Sequence, residues 1–296
     1  MIALVIDAQK KDLGGFEVGR ILPFHARRMV GPFTFLDHMG PAAFDPGMGI
    51  DVRPHPHIGL STLTYLFEGE IVHRDNLGFT QAIRPAEVNW MTAGSGIVHS
   101  ERTDPTIRIH GGPMHGLQAW VALPVEAEEI DPSFHHHPEA DLPTYQQDGL
   151  WGRLIAGEAY GAKAGVQIHS PLFYLHWIMQ PGAKAAPPPG YTESAAYVVS
   201  GSVEIDGRAL HAGQMAVFED GARPTVVAKT EAVVMVLGGE PVGPRHIWWN
   251  LVSSSKERIE QAKADWKAGR MSLPPGDDAE FIPLPEDPPK PAERMS

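Results

Sequence analysis

The sequence predicts an all-β protein made of two antiparallel barrels, with one short helix near its C-terminal end. Three observations carry that reading. Glycine (31 residues) and proline (28) make up about a fifth of the 296 residues, against roughly 12% in an average protein, which implies many turns. Short β-branched and aromatic runs recur between those turns, the spacing of a sandwich or barrel. No helical pattern of roughly 10–15 residues alternates with them, which argues against a doubly wound or (β/α)8 architecture.

The first block runs from Ile58 to about Pro124. It holds strands at Ser61–Phe67, Ile71–Arg74, Val88–Thr92 and Leu117–Leu123, cut by Glu68-Gly-Glu70, Asp75-Asn-Leu-Gly78 and Ala93-Gly-Ser-Gly96. Residues 126–148 are acidic and punctuated by proline, a linker composition. A second block from about Gly149 to Gly243 places strands at Phe173–Met179, Ala195–Val199, Ser202–Ile205, Gln214–Phe218 and Ala232–Leu237. The two blocks echo each other: Tyr65-Leu-Phe-Glu-Gly-Glu-Ile71 and Tyr197-Val-Val-Ser-Gly-Ser-Val-Glu-Ile205 both read as strand, glycine turn, return strand. The expected organisation is therefore an N-terminal domain over 1–130, a linker over 131–148 and a C-terminal domain over 149–296. Ser254-Ser-Lys-Glu257 is a capping-box pattern with Ser254 at the N-cap. It announces a helix over about 255–268 whose packing face is Ile259, Ala262 and Trp266, with Gly269 as the stop. The last 20 or so residues, rich in proline and acid, read as an extended strap or a frayed end.

Charge and composition narrow the function. The formal charge of −12 and the lack of any basic cluster denser than Arg27–Arg28 in the first half argue against direct nucleic-acid binding. The absence of cysteine removes disulfides, iron–sulfur clusters and thiol nucleophiles. No signal-peptide pattern opens the chain and no apolar run approaches the ~18 residues of a membrane helix. The expectation is a soluble, cytoplasmic protein, monomeric because two barrels in one chain can supply each other's interface.

Histidine, present in 15 copies, is the chemically conspicuous residue. His55-Pro-His57 and His99-Ser-Glu101 each place two ligand groups at period two, on one face of a strand. Four ligands can then converge. Prolines 54 and 56 stiffen the first pair, and Gly94 and Gly96 give the turn that sets His99 at the start of its strand. His135–His137 lies in the acidic proline stretch and reads as a solvent-exposed tract. One of His73, His110 and His115 is expected behind a ligand, orienting it. Gln118 and Trp120 alternate with Leu117 and Ala119 and either line a pocket or pack the core.

The stretches His55–Gly78 and Asn89–Glu101 closely resemble the pirin family, two-domain cupins. The likeness extends through His115–Val121, Gly157-Glu-Ala-Tyr-Gly161 and Trp248–Glu260. It implies a bicupin of two jelly-roll barrels with one metal, usually iron, held in the first by His55, His57, His99 and Glu101. Many cupins carry a further glutamate just after the second histidine; here Gly59-Leu-Ser61 stands there, so Glu101 has no substitute. Three neutral imidazoles and one carboxylate suit Fe(II), with Mn, Ni, Co, Cu or Zn also compatible. A closed structural zinc site is the competing reading, since the same ligands can complete a tetrahedron. The second block has Pro187-Pro-Pro-Gly-Tyr-Thr-Glu193 where a cupin would carry histidines, and His211 stands alone, so no metal is expected there. The resemblance implies a dioxygenase of flavonol substrates such as quercetin. On chemical grounds Glu101, a carboxylate at the metal, is the expected catalytic base as well as a ligand. The resemblance also implies an alternative: an iron-dependent redox-sensing regulator acting through protein partners.

Overall fold

The computed structural model describes residues 1–12 and 16–286; the last ten residues of the expected strap lie outside it. Two barrels stand face to face. In the first, a seven-stranded sheet built around Phe33–Phe44, Leu60–Glu68, Val88–Thr92 and Gly112–Ala122 closes on a four-stranded sheet of Asp51–His57, Ile97–Arg102, Ile71–Asp75 and Thr80–Ile83. In the second, an eight-stranded sheet around Leu150–Ala159, Leu172–Met179, Glu193–Ser200 and Ala232–Gly239 closes on a smaller four-stranded sheet. All the strand pairs within these sheets are antiparallel, and every strand expected in the two blocks is present. Both echoed strand–turn–strand segments form, turning at Gly69 (φ 90°) and Gly201 (φ 75°), and in each the return strand crosses from the large sheet to the small one of its barrel. Among the described residues no helix is long and apolar enough to cross a membrane.

Side-chain alternation divides the core. From the Leu60–Glu68 strand, Leu63 and Tyr65 point outward and meet Tyr174, Tyr197 and Leu237 of the second barrel in a fully buried layer between the large sheets. Leu60 and Leu66, on the other face, fill the first barrel, where Leu60 shares a cluster with Trp120, Phe35, Met91 and Ile97. Burial of this layer is the main attraction between barrels. Two polar pairs cross the seam inside it: His38 Nδ1 with the Tyr197 hydroxyl at 2.7 Å, and His176 Nδ1 with the Tyr65 hydroxyl at 2.9 Å.

The structure departs from the sequence-order division at both ends of the chain. Strand Ile2–Asp7 pairs with Gln214–Phe218 and so belongs to the second barrel, with Ile6 fully buried. Conversely, residues after Gly239 return to the first barrel. Leu251 bridges Ile58, the Arg245 guanidinium bonds the Leu123 carbonyl, and the Ile282 amide donates to the Pro54 carbonyl. The stretch over 131–148 is likewise not irregular. Ser133–His137 pairs with Val88–Thr92 and Thr144–Gln147 with Leu150–Ala159, so each half is an edge strand of a different barrel. Backbone pairing there outweighs the turn-prone composition.

The helix spans Lys256–Lys267 and buries Ile259, Ala262 and Trp266 as expected. Its cap is displaced by one residue. Ser255 Oγ accepts from the Arg258 amide, whereas the Ser254 amide and hydroxyl both donate to the buried carboxylate of Glu128. A short helix, Pro105–His110, capped by Asp104, was not expected.

Candidate metal centre

His55 and His57 end one strand of the small sheet of the first barrel, and His99 begins its neighbour, with His99 directly opposite His55. Their ligand-capable nitrogens all lie within 4.8 Å of one another, the one such three-ligand group among the described residues. All three are buried, at 6%, 1% and 1% exposure. Burial pushes the His55 pKa down to about 4 and those of His57 and His99 well below the ordinary histidine value, so the rings are neutral and able to ligate at pH 7.

The other ring nitrogens decide which atoms face inward. His55 Nδ1 donates to the Arg53 carbonyl at 2.9 Å, and His57 Nδ1 to the Asn250 carbonyl at 3.0 Å. Each carbonyl can only accept, so both rings present a bare Nε2. His99 Nδ1 lies 3.3 Å from His73 Nδ1, and His73 Nε2 donates to Asp75 Oδ2 at 2.8 Å. With a neutral His73 carrying its proton on Nε2, His99 donates and its own Nε2 is bare as well. His57 Nε2 and His99 Nε2 are then 3.1 Å apart with lone pairs opposed, a repulsion relieved by a cation placed among the rings. The donor set therefore fits a divalent metal ion.

Glu101 stands outside the mutually close trio. It is half-buried on the same strand as His99, and Thr64 Oγ1 lies 3.3 Å from its Oε1 and 2.7 Å from Gln118 Oε1. Burial raises its carboxyl pKa. Gln118 therefore turns into the first barrel, while Leu117 and Ala119 pack between the barrels. Trp120 meets His57 edge-on at 5.1 Å between ring centres and stacks on Phe35 at 4.0 Å, giving the site an aromatic wall.

Of the three histidines among which one was expected to stand behind a ligand, His73 is the one that does so. His110 ends the short helix, and His115 bonds His38 at the seam between barrels. Sequence reasoning read Asp75 as a turn residue and missed its second role. The signal was present: His73 and Asp75 sit at period two on the strand paired with that of His99, with Asp75 directly opposite it. His135 is exposed, but His136 pairs with Asn89 Oδ1 at 2.8 Å and is half-buried, so the tract is part of a sheet edge.

Two face-to-face β-barrels, one of them holding a buried three-histidine cluster, define a two-domain cupin. The chain belongs to the pirin family: the Pirin model matches residues 15–121, and the Pirin C-terminal cupin domain model matches residues 174–272. A pirin-like protein of Caulobacter vibrioides is 68% identical over 289 residues, covering 97% of this chain and 100% of its own. The crystal structure of a quercetin 2,3-dioxygenase from Acinetobacter baumannii is 34% identical with a TM-score of 0.90, covering 97% of this chain and 96% of that one. A second structure under the same description, from the same organism, is 28% identical with a TM-score of 0.86, covering 92% and 98%.

Proposed function

We propose that this protein is a mononuclear metal-dependent dioxygenase acting on a flavonol-type aromatic substrate, with His55, His57, His99 and Glu101 holding the metal and Fe(II) as the working ion. The observation that carries the reading is the convergence of the three buried rings of His55, His57 and His99, each presenting a bare Nε2, with Glu101 two residues beyond His99 on the same strand. The likeness to a protein described as a quercetin 2,3-dioxygenase supplies the substrate class. The metal would supply Lewis acidity and one-electron chemistry toward dioxygen. The chain supplies the rest. The His55 and His57 rings are fixed by main-chain carbonyls, Trp120, backed by Phe35, gives the site an apolar wall beside His57, and the burial of the three rings keeps bulk water away. Glu101, its carboxyl raised above the ordinary carboxylate range by burial, takes the hydroxyl proton of the bound flavonol, with Thr64 adjusting its bond to the carboxylate as the charge changes.

The test is aerobic loss of quercetin absorbance by Fe(II)-loaded protein beside His99→Ala. Turnover in the first and none in the second supports the assignment. No turnover with metal demonstrably bound refutes it and returns weight to the regulatory class.

A further inference from the structure

The three histidines of the centre are not anchored alike. His55 and His57 lean on neutral main-chain carbonyls. His99 leans on a side chain that in turn bonds a carboxylate, and every member of that chain is buried: His99 at 1%, His73 at 4% and Asp75 at 0% exposure. Phe134 stacks on the His73 ring at 4.2 Å and 11°, which fixes its plane. Asp75 Oδ1 is held by the amides of Leu77 and Phe79 at 2.9 and 3.1 Å, leaving Oδ2 to His73, its one side-chain partner among the described residues. The two amides account for Oδ1 as a turn cap; they leave Oδ2, at a fully buried position, to polarise the His73 ring toward His99.

We propose that Asp75 and His73 are positioning residues of the metal centre: they hold the His99 ring with Nε2 bare toward the site and make it the most strongly donating of the three imidazoles. Hydrogen-bond donation from His99 Nδ1 into an anionic chain leaves more electron density at Nε2, which tightens metal binding and favours the more highly charged oxidation state. The inference rests on the metal-centre reading above and assigns within it what no ligand list contains.

Chelator-competition titration with Co(II) measures affinity, and the Fe(III)/Fe(II) midpoint potential measures donor strength. His73→Phe removes the acceptor behind His99 and should weaken Co(II) binding by about 10–100-fold. In His73→Asn the amide oxygen can stand where Nδ1 stood and accept from His99, so affinity should return to within about fivefold of the unsubstituted protein. The link to Asp75 stays cut, so the potential should rise. Purely structural roles for His73 predict no such split. His73→Phe binding within about threefold of the unsubstituted protein overturns the proposal. So does a potential unchanged in His73→Asn, which decides the matter alone should His73→Phe not fold. Unsubstituted protein that binds no metal overturns the metal-centre reading and this inference together.

Discussion

Arg245 is the clasp that closes the C-terminal return onto the first barrel, and its replacement gives a sharp test of how that return is held. Its side chain is 1% exposed and lies 2.8 Å, Nε to Oε1, from Glu128, itself 6% exposed. That contact is off the ideal N–H direction, so its value is mostly charge neutralisation. The remaining guanidinium nitrogens donate to the carbonyls of Leu123, Val242 and Pro244. In Arg245→Met the Glu128 carboxylate stays buried without a cation. Losing one partner of a buried pair costs about 3–5 kcal/mol. Glu128 retains the Ser253 and Ser254 hydroxyls and the Ser254 amide, which places the expectation near the lower end, about 3 kcal/mol. With a urea slope of about 3 kcal/mol/M, the unfolding midpoint should fall by about 1 M. Adding Glu128→Gln removes the stranded charge and should recover part of the loss, a positive coupling in the double-mutant cycle. A midpoint shift corresponding to under about 1 kcal/mol, or a further loss on adding Glu128→Gln, would refute the reasoning.

Three further outcomes are expected. Burial holds His38 at a pKa of about 4 and His176 at about 3. The unfolded chain therefore binds protons that the folded one refuses, and stability, full above the unfolded value near 6.5, should decline as pH drops from there toward 4; urea midpoints across pH 4–8 will show it, and a flat profile would contradict it. Gly59 has φ +65°, and an added Cβ would meet the Val252 carbonyl oxygen at 2.1 Å. Gly59→Ala should therefore push the return strand away, destabilise the fold by about 2 kcal/mol or more and weaken metal binding through neighbouring His57, as measured by chelator competition. Deleting residues 1–7 should strip the edge strand from the second barrel and remove Ile6 from the layer between barrels. The cost should be about 2 kcal/mol or more, and light scattering should detect association through the bared edge.

The repeating strands and the two candidate ligand pairs, His55 with His57 and His99 with Glu101, were legible because each depends on local pattern: alternation, a glycine turn, polar groups two residues apart on one strand. What could not be read depends on partners distant in the chain. Ser254 satisfies the local capping rule, yet Glu128 captures it and the cap moves to Ser255. Ile2–Asp7 carries a good strand signal but nothing that says which barrel edge lies open to it. His73 was one of three equal candidates until the fold placed its strand against that of His99. Glu101 was legible as a residue type at the right spacing, whereas its raised pKa comes from burial that only the closed barrel provides.

The return of the chain to the first barrel sets an order on assembly. The carbonyl that holds His57 belongs to Asn250, 193 residues later in the sequence. During synthesis the first barrel can pair its strands early, but one of its three imidazoles lacks its anchor until the second barrel has been made and the chain has come back. The proposed metal site is thus complete only in the finished molecule, and a chain that ends before Asn250 would present His57 without the carbonyl that orients it.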